Sequence, residues 1–285
     1  MTDLAGKRVA FQGERGAYSE MAALNALGDE IEPVPCRSFD VVFEKVQSSE
    51  CDLGLVAVEN SLAGSIHRNY DLLLRHQLYI VGETQLRIEH CLIANPGVAL
   101  DDIRLVRSHP QALAQCEHHL TEMGVESEIA YDTAGSVRDL KESGERDAAA
   151  LASRLAAEIY GMQVLREDME DNRLNYTRFL VLALKPVHPT GDVKTSIVFA
   201  LQNRPGVLFR AMACFALRDI DLTKIESRPL PGSPWEYRFY LDFVGSQHHG
   251  AGPQALNHLR EMATELRVLG SYPRQVWVGS EEEEE

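Results

Sequence analysis

The chain has few cysteines and no long apolar run, and each of these shortages excludes a class of protein. Its 285 residues include five cysteines, an odd number, and no two of them have the C-x-x-C spacing of a zinc or redox motif. No run of about 18 apolar residues is present, which excludes a membrane-spanning helix. The first residues also lack the apolar stretch of about 7–15 residues that a secretory signal peptide carries. Together these features predict a cytosolic protein with reduced thiols, no metal cluster and no membrane contact.

Basic residues are scarce relative to acidic ones. The chain has 28 Lys and Arg against 43 Asp and Glu, a formal net charge of −15 at pH 7. Residues 281–285 are all Glu and are predicted to form a solvated tail. The remaining charge still argues against nucleic acid as a partner, because phosphate binding needs a basic surface. An anionic ligand must therefore be held by a local site rather than by the field of the whole protein.

Short apolar strands alternate with helical patterns from residue 8 to residue 184. The run LGLVAV at 53–58 is apolar throughout, as is typical of a parallel strand that is covered on both faces. Strands that alternate with helices of about 10–15 residues predict βαβ units and one or two mostly parallel sheets. The fold class of this part is therefore α/β.

The pattern changes after residues 185–192, KPVHPTGD, which contain two prolines and a glycine and have no apolar periodicity. The rest of the chain is predicted as strand, helix, two strands, helix and strand, which is the ferredoxin-like plan. The predicted segments are the strands 195–201, 221–228, 235–244 and 276–278 and the helices 206–217 and 254–266.

Several loops that follow predicted strands are rich in Ser, Thr, Asn, Gln and Gly. They lie at residues 13–19, 59–65, 108–115, 132–136 and 175–179. Ligands of open α/β sheets bind beyond the carboxyl ends of strands, but each loop by itself is also explained as a turn or a helix cap. Likewise, Arg178 is either a carboxylate clamp or a salt-bridged edge residue, and His109 is either an acid–base group or a cap. As a set without a nucleotide or metal motif, the loops predict a cleft for a small anionic ligand, with a cofactor-free reaction or none.

The ordered motifs GERGAYSE, AVENSLAGSIHRNYDLL, EHCLI, SHPQALAQC, DTAGSV, NYTRF, NRPGVLFRAM and KIESRP resemble the prephenate dehydratases that carry a C-terminal ACT regulatory domain. The resemblance implies a bilobal catalytic region like that of type II periplasmic binding proteins, followed by an ACT domain. It implies conversion of prephenate to phenylpyruvate, water and carbon dioxide without a cofactor. It further implies phenylalanine as a feedback inhibitor, and a homodimer or homotetramer. The implied bounds are 1–185 for the catalytic region, 186–193 for a linker, 194–278 for the ACT domain and 279–285 for the acidic tail.

The resemblance also implies roles for individual residues. Thr177 would hydrogen-bond the leaving hydroxyl group, and Arg178 would bind a carboxylate of the substrate. Asn60, Ser108 and Gln115 would orient the substrate. The other implied substrate contacts, which include apolar walls and the candidate acids Glu59 and His109, are Phe179, Tyr18, Glu59, Ser61, Gly64, Ser65, His109 and Thr133. The residues implied to bind phenylalanine are Asn203, Gly206, Val207, Leu208, Glu226, Ser227, Arg228 and Pro229, the last four closing the site from a neighbouring subunit.

Three alternatives stay open. An arogenate dehydratase acts on the analogue of prephenate that has an amino acid in place of the keto acid, and the sequence does not separate the two. A cytosolic amino-acid sensor on the same bilobal plan would have no need of the segment TRF at 177–179. A fusion with chorismate mutase would need an additional helical segment before the first strand.

Overall fold

The computed structural model describes residues 4–229 and 237–275. Three of the predicted features fall outside these residues in whole or in part: the strand at 276–278, the tail at 279–285 and the first two residues of the strand at 235–244. By internal packing the chain forms two compact units, Met1–Leu72 with Thr84–Phe179, and Leu73–Glu83 with Leu180–Glu285. The domain bounds given above stay a prediction.

Strands and short helices alternate through the described residues. The strands are β1 (Arg8–Gln12), β2 (Glu32–Cys36), β3 (Leu53–Asn60), β4 (Gly64–Ser65), β5 (Tyr79–Arg87), β6 (Cys91–Ala94), β7 (Leu105–Ser108), β8 (Glu126–Ile129), β9 (Ala148–Ala152), β10 (Gln163–Arg166), β11 (Tyr176–Ala183), β12 (Val193–Leu201), β13 (Leu222–Pro229), β14 (Tyr237–Val244) and β15 (Ala263–Pro273). The helices are α1 (Tyr18–Leu27), α2 (Phe39–Gln47), α3 (His67–Arg75), α4 (Pro110–Gln115), α5 (Glu117–Met123), α6 (Thr133–Ser143), α7 (Arg154–Tyr160), α8 (Val207–Ala216) and α9 (Gly252–Met262). None of the helices in the described ranges has the length and apolar content to cross a bilayer.

Two sheets of the same topology form two α/β lobes. The first has the order β2-β1-β3-β11-β5, and the second, read from its β8 edge, has the order β8-β7-β9-β6-β10. The fourth strand is β11 in the first lobe and β6 in the second. Each of these is the first strand that the chain forms after it crosses from the other lobe. The chain therefore crosses twice between the lobes. This confirms the predicted α/β class and the bilobal plan, although the sequence shows no repeat that would have revealed the doubled topology.

Helices on both faces of the second sheet explain why its central strand is apolar throughout. All five residues of β9, AAALA, are buried. Ala148, Ala150 and Ala152 pack in the cluster that contains α6 and α7, whereas Ala149 and Leu151 pack in the cluster on the other face. Side chains of successive strand residues point to opposite faces, so a strand covered on both faces has no polar alternation. The small alanine side chains allow both helix layers to lie close to the sheet.

The second unit has the predicted ferredoxin-like plan. Its sheet has the order β13-β14-β12-β15, and β12 pairs antiparallel with both β14 and β15. Helices α8 and α9 contribute Ala211, Phe215, Leu256 and Leu259 to a core shared with inward-facing residues of the strands. Every residue of β12 is buried, because this strand has a neighbour on each side as well as the helices.

Residues 73–83 are fixed to the rest of the second unit by buried polar contacts. Lys194 in β12 forms an ion pair with Glu83 at 2.7 Å, and the two side chains are 7% and 0% exposed. The guanidinium group of Arg267 in β15 donates to four carbonyl oxygens near the end of α3, those of residues 73, 74, 76 and 78, at 3.0–3.3 Å. A cation near the carboxyl end of a helix is stabilising, because the last carbonyl groups there lack helical partners.

The structure differs from the predicted elements in three places. The residue pattern at 110–123 predicts one helix, but the structure has two, α4 and α5, which Asp171 separates at Cys116. The backbone N–H of Asp171 donates to the carbonyl of Gln115, and its carboxylate accepts from the backbone of His118 and His119. The sequence pattern did not predict strand β5 at Tyr79–Arg87. The helix expected at 254–266 ends at Met262, and the chain continues directly as β15 along the full length of β12.

Candidate functional site

A cavity of about 420 Å³ lies at the carboxyl ends of the strands in the first unit. Strands β1, β7 and β8 lead into the helices α1, α4 and α6, and the first residues of all three helices line it. Ligands of open α/β sheets bind at this edge, beyond the carboxyl ends of the strands. Predicted site residues that line the cavity are Thr177, Asn60, Gln115, Phe179, Tyr18, His109 and Thr133.

Asn60 and Thr177 form the centre of a buried polar cluster at the ends of β3 and β11. The side-chain nitrogen of Asn60 donates to Thr177 Oγ1 at 3.0 Å, to Asn175 Oδ1 at 2.8 Å and to the carbonyl of Tyr176 at 3.2 Å. Its side-chain oxygen accepts from the backbone of residues 62 and 63. Asn60 is 4% exposed and Thr177 is 8% exposed. Because Thr177 Oγ1 accepts from Asn60, the threonine hydroxyl is oriented with its own hydrogen left to donate into the cavity.

A second polar cluster joins Tyr18 on α1 to His90 and Gln115. The Tyr18 hydroxyl lies 2.7 Å from His90 Nδ1 and 2.9 Å from the carbonyl oxygen of Glu89, and His90 Nε2 lies 2.9 Å from Gln115 Oε1. His90 is 2% exposed. Burial lowers the pKa of His90 and raises the pKa of the Tyr18 phenol well above 10.0. Both groups are therefore neutral near neutral pH.

His109 and Asp132 also line the cavity, at the starts of α4 and α6. Nδ1 of His109 accepts from the backbone N–H of Gln111 at 3.2 Å, so Nε2 carries the hydrogen in the neutral ring. Burial lowers the pKa of His109, and burial also raises the pKa of Asp132. Asp132 caps α6 by accepting from the backbone of Gly135.

No Lys or Arg side chain occurs among the described residues that line the cavity. Positive potential comes instead from helix starts, each of which carries roughly half an elementary charge. Helix α1 begins after Ala17, whose side chain cannot cap the first N–H groups, and Tyr18 and Ser19 of its first turn line the cavity. The cavity can therefore bind a carboxylate through backbone N–H groups without a buried guanidinium group.

Three contacts hold the two lobes together beside the cavity. The Tyr131 hydroxyl donates to the carbonyl of Arg37 at 2.6 Å, and Arg138 pairs with Glu14 at 3.0 Å. Gly16 packs against α7 so closely that a Cβ atom there would lie 2.6 Å from Ala156 Cα. These contacts hold the lobes together on this side of the cavity.

The other predicted substrate-site residues do not line the cavity. Arg178 points to the opposite face of β11 from Thr177 and Phe179, because successive strand residues alternate. Ser108 is fully buried and donates to the carbonyl of Leu151 at 2.6 Å, so it stabilises the β7–β9 pair. The remaining four form the β3–β4 hairpin next to the cavity and are Glu59, Ser61, Gly64 and Ser65. The geometry therefore gives no support to a direct carboxylate contact from Arg178 or to Glu59 as an acid.

Several lining residues lacked a prediction from the sequence. His90 belongs to the motif EHCLI, whose apolar pattern predicts a strand at 90–94 and no binding residue. Asp132 was treated as a helix cap, which it also is. Gln12 is the last residue of strand β1 and Tyr131 lies two residues beyond strand β8, so the rule that ligands bind at strand ends predicts both.

A second cavity, of about 230 Å³, lies in the second unit at the start of α8. Four of the predicted phenylalanine contacts line it, namely Asn203, Gly206, Val207 and Leu208, together with Arg204, Tyr237 and Phe239. Gly206 has φ 76° and precedes α8 without a capping side chain. The backbone N–H of Val207 donates to the carbonyl of Arg204 at 3.1 Å, so the N–H groups that follow it in the first turn are the ones left for a polar ligand. The other four predicted contacts, Glu226, Ser227, Arg228 and Pro229, lie on the edge strand β13 and do not line the cavity within this chain.

Comparison with known proteins gives the same result at the level of sequence family and of structure. The family profile described as prephenate dehydratase matches residues 9–187. Arogenate dehydratase/prephenate dehydratase 2, chloroplastic, from Arabidopsis thaliana is 53% identical, over 93% of this chain and 72% of the relative. The structure of prephenate dehydratase in complex with L-Phe from Arthrobacter aurescens has a TM-score of 0.86 and 32% identity, over 94% of this chain and 90% of that one. A structure described as GqqA, a novel type of quorum quenching acylases, has a TM-score of 0.88 and 35% identity, over 94% and 98%.

The expectation of a cytosolic location is wrong by this comparison. Relatives from Arabidopsis thaliana at 47–53% identity are named as chloroplastic, which points to a plastid rather than the cytoplasm. All five cysteines are free and buried in the structure. Free thiols report only that a compartment is reducing, so they cannot identify which compartment it is.

Proposed function

The chain belongs to the prephenate dehydratase family, and on that premise we propose that the cavity of its first unit binds prephenate and converts it to phenylpyruvate, water and carbon dioxide. The chain is thus a lyase, and the sensor without catalysis loses its support. The observation that carries the proposal is the Asn60–Thr177 hydrogen bond at 3.0 Å inside the cavity, which holds an oriented hydroxyl donor where a departing oxygen must be stabilised.

The reaction needs help for a leaving group more than it needs a nucleophile. When the ring carboxylate leaves as carbon dioxide, its bonding electron pair enters the ring and the C–O bond to the hydroxyl group breaks, which makes the ring aromatic. Thr177 donates a hydrogen bond to the departing oxygen, and Asn60 keeps the threonine hydroxyl in that orientation. A further proton completes the water molecule, and of the two acids suggested by the sequence, only His109 lines the cavity.

The two carboxylates of prephenate need different surroundings. The side-chain carboxylate must be held as an anion, and we assign it to the N–H groups at the start of α1, which has no capping side chain, rather than to Arg178. The ring carboxylate must become neutral carbon dioxide, and apolar surroundings favour that change because they disfavour the charged form. Phe39, Ile88 and Phe179 supply apolar surface in the same cavity.

Arogenate is the second candidate substrate, because curated relatives are named as arogenate dehydratases as well as prephenate dehydratases. The test is to incubate the purified full chain with each compound. Phenylpyruvate is measured by its ultraviolet absorbance in alkali, and phenylalanine is measured by chromatography. We expect at least one substrate to be converted in proportion to enzyme concentration. If both compounds remain intact beyond the rate of a buffer control, the proposed function is wrong.

We also propose that the second unit is an ACT domain and that its cavity at α8 binds phenylalanine as an inhibitor. The effector carboxylate would bind at the first turn of α8 through the N–H group of Leu208, because the N–H group of Val207 donates to the carbonyl of Arg204. Leu208→Asp places a negative charge beside that carboxylate, and Ser227→Trp adds bulk on β13. Both variants should lose inhibition by phenylalanine while keeping uninhibited activity. Unchanged inhibition in both would place the effector site elsewhere.

We propose a homodimer or homotetramer, with residues 226–229 of one subunit closing the effector site of another, and the domain bounds 1–185, 186–193, 194–278 and 279–285. Support comes from α8, where Phe209 is 78% exposed, and from Leu217, which is also 78% exposed. Large exposed side chains of this kind are often buried by association. Light scattering after size-exclusion chromatography measures the mass directly, and a monomer at micromolar concentration would contradict the assembly.

A further inference from the structure

Hydrogen positions are not fixed by the heavy atoms of the Tyr18–His90–Gln115 cluster. The Tyr18 hydroxyl has one hydrogen but lies within hydrogen-bond distance of two groups, the Glu89 carbonyl and His90 Nδ1. A neutral imidazole carries its hydrogen on either Nδ1 or Nε2. A glutamine amide fits almost the same space with its oxygen and nitrogen exchanged. The same atomic positions thus allow more than one arrangement of hydrogens.

Two arrangements satisfy every bond of a neutral His90. In the first, Tyr18 donates to Nδ1, and Nε2 donates to the Gln115 oxygen, so the Gln115 amide nitrogen is the atom left for a ligand. In the second, Tyr18 donates to Glu89, Nδ1 donates to Tyr18, and Gln115 donates to Nε2, so the Gln115 oxygen is left for a ligand. Neither arrangement requires a proton from solvent.

Gln115 is in a position to use this difference. It lines the cavity, it is half-buried, and the bond to His90 is its single side-chain hydrogen bond among residues 4–229 and 237–275. The first arrangement presents a donor, which suits a keto or carboxylate oxygen. The second presents an acceptor, which suits an ammonium group. The two candidate substrates differ in this group: prephenate carries a keto acid and arogenate an amino acid.

We propose that Gln115, set by His90 and Tyr18, reads the side chain of the substrate, donating to the keto acid of prephenate or accepting from the ammonium group of arogenate. This inference rests on the proposed function. Gln115 contacts the ligand, and His90 and Tyr18 are positioning residues. One cavity can then bind both compounds. To change from one arrangement to the other, the hydrogens of Tyr18 and His90 move and the Gln115 amide turns over, so that no buried polar group is left unpaired.

Asp132 offers a different explanation of the same preference. Its side chain also lines the cavity, and its Oδ2 atom is buried without a hydrogen-bond partner among the described residues. An ionised carboxylate would attract an ammonium group and repel a keto acid, whatever the state of Gln115. The two explanations predict different residues to control the ratio of the two activities.

The test compares kcat/KM for prephenate and arogenate in variants of the full chain. Gln115→Glu keeps the acceptor for His90 Nε2 and presents a negatively charged oxygen to the ligand, so the arogenate-to-prephenate ratio should rise about tenfold or more, the effect of one charge-assisted hydrogen bond. Gln115→Met, the matched control, keeps the shape without a polar group and should lower both values while the ratio stays within about threefold. Asp132→Asn should leave the ratio unchanged. If the arogenate-to-prephenate ratio changes in Asp132→Asn and not in Gln115→Glu, the inference is wrong.

A second measurement needs no variant in the enzyme under study. The ¹⁵N chemical shifts of the His90 ring report which nitrogen carries the hydrogen, with His90→Gln used only to assign the signals. With phenylpyruvate bound, the hydrogen should lie on Nε2; its presence on Nδ1, or on both nitrogens, overturns the inference. If wild-type protein converts neither substrate, the proposed function fails first. If it converts both and the arogenate-to-prephenate ratio is unchanged in Gln115→Glu, only the present inference fails.

Discussion

Replacing Thr177 by valine should remove most of the catalysis and little of the stability. Valine has the shape of threonine without Oγ1, so the apolar packing around position 177 is kept. The lost bond is the one from Asn60, whose side-chain nitrogen has two hydrogens and retains two acceptors, Asn175 Oδ1 at 2.8 Å and the carbonyl of Tyr176 at 3.2 Å. No buried donor is left unpaired, and the free energy of unfolding should fall by at most about 1 kcal/mol.

The catalytic effect of the same change should be much larger. A preorganised donor aimed at a developing negative charge contributes about 10²–10³ in kcat, or about 2.7–4 kcal/mol. Turnover of prephenate by Thr177→Val should therefore fall by that factor with little change in KM, while Thr177→Ser, which retains a hydroxyl group, should keep most of the activity. Phenylpyruvate formation gives kcat, and thermal unfolding followed by circular dichroism gives the stability. Turnover within about threefold of wild type in the valine variant would refute the assignment of Thr177.

Three further expectations concern stability. Gly16→Ala forces a Cβ atom into α7 at a positive φ of 87°, so it should destabilise the protein by about 1–3 kcal/mol more than Gly28→Ala, where φ is 90° and no atom lies within 4 Å; equal effects in urea unfolding would contradict the close packing. The folded protein disfavours protonation of His90, whose pKa lies below 6.5, whereas the unfolded chain accepts a proton near pH 6.5. The stability contributed by neutral His90 is complete above pH 6.5 and is lost as the pH falls, so the unfolding midpoint should drop less in His90→Gln than in wild type between about pH 7 and about pH 5. Glu83→Gln retains a hydrogen-bond acceptor but leaves the buried Lys194 ammonium group without an opposite charge, and should cost about 3–5 kcal/mol, whereas replacement of both by methionine should cost less; the opposite order in thermal unfolding would show that the ion pair itself is strongly stabilising.

Parts of the site were predictable because they depend on local sequence. Asn60 is the last residue of β3 in an α/β pattern, and this placement brings its side chain to the ligand-binding edge of a sheet whatever the details of packing. Thr177, near the start of β11, and Gln115, at the end of α4, are predicted through the motifs that contain them. The motifs around them identify the family. The start of α8 was predictable in the same way, because Asn203-Arg204-Pro205-Gly206 is a turn sequence directly before a helix.

Other residues could be placed only by long-range contacts. Arg178 is adjacent to Thr177 in the chain, and its exclusion from the cavity follows from which face of β11 the cavity lies against. Ser108 is the last residue of a strand, as a binding residue would be, but its hydroxyl group donates to the carbonyl of Leu151 in the neighbouring strand β9. His90 enters the site because the chain crosses between lobes beside it, a crossing that the sequence does not reveal.

By itself the sequence determined the family, the alternation of strands and helices, the two kinds of domain and the polar loops at strand ends, since each of these is encoded in short stretches of residues. The tertiary structure alone decided which side chains share a cavity and which merely lie near one in the chain. The physical reason is that a side chain's direction depends on the register and face of its strand, and its protonation depends on burial. Both are set by neighbours as distant in the chain as His90 and Gln115, or Asn60 and Thr177.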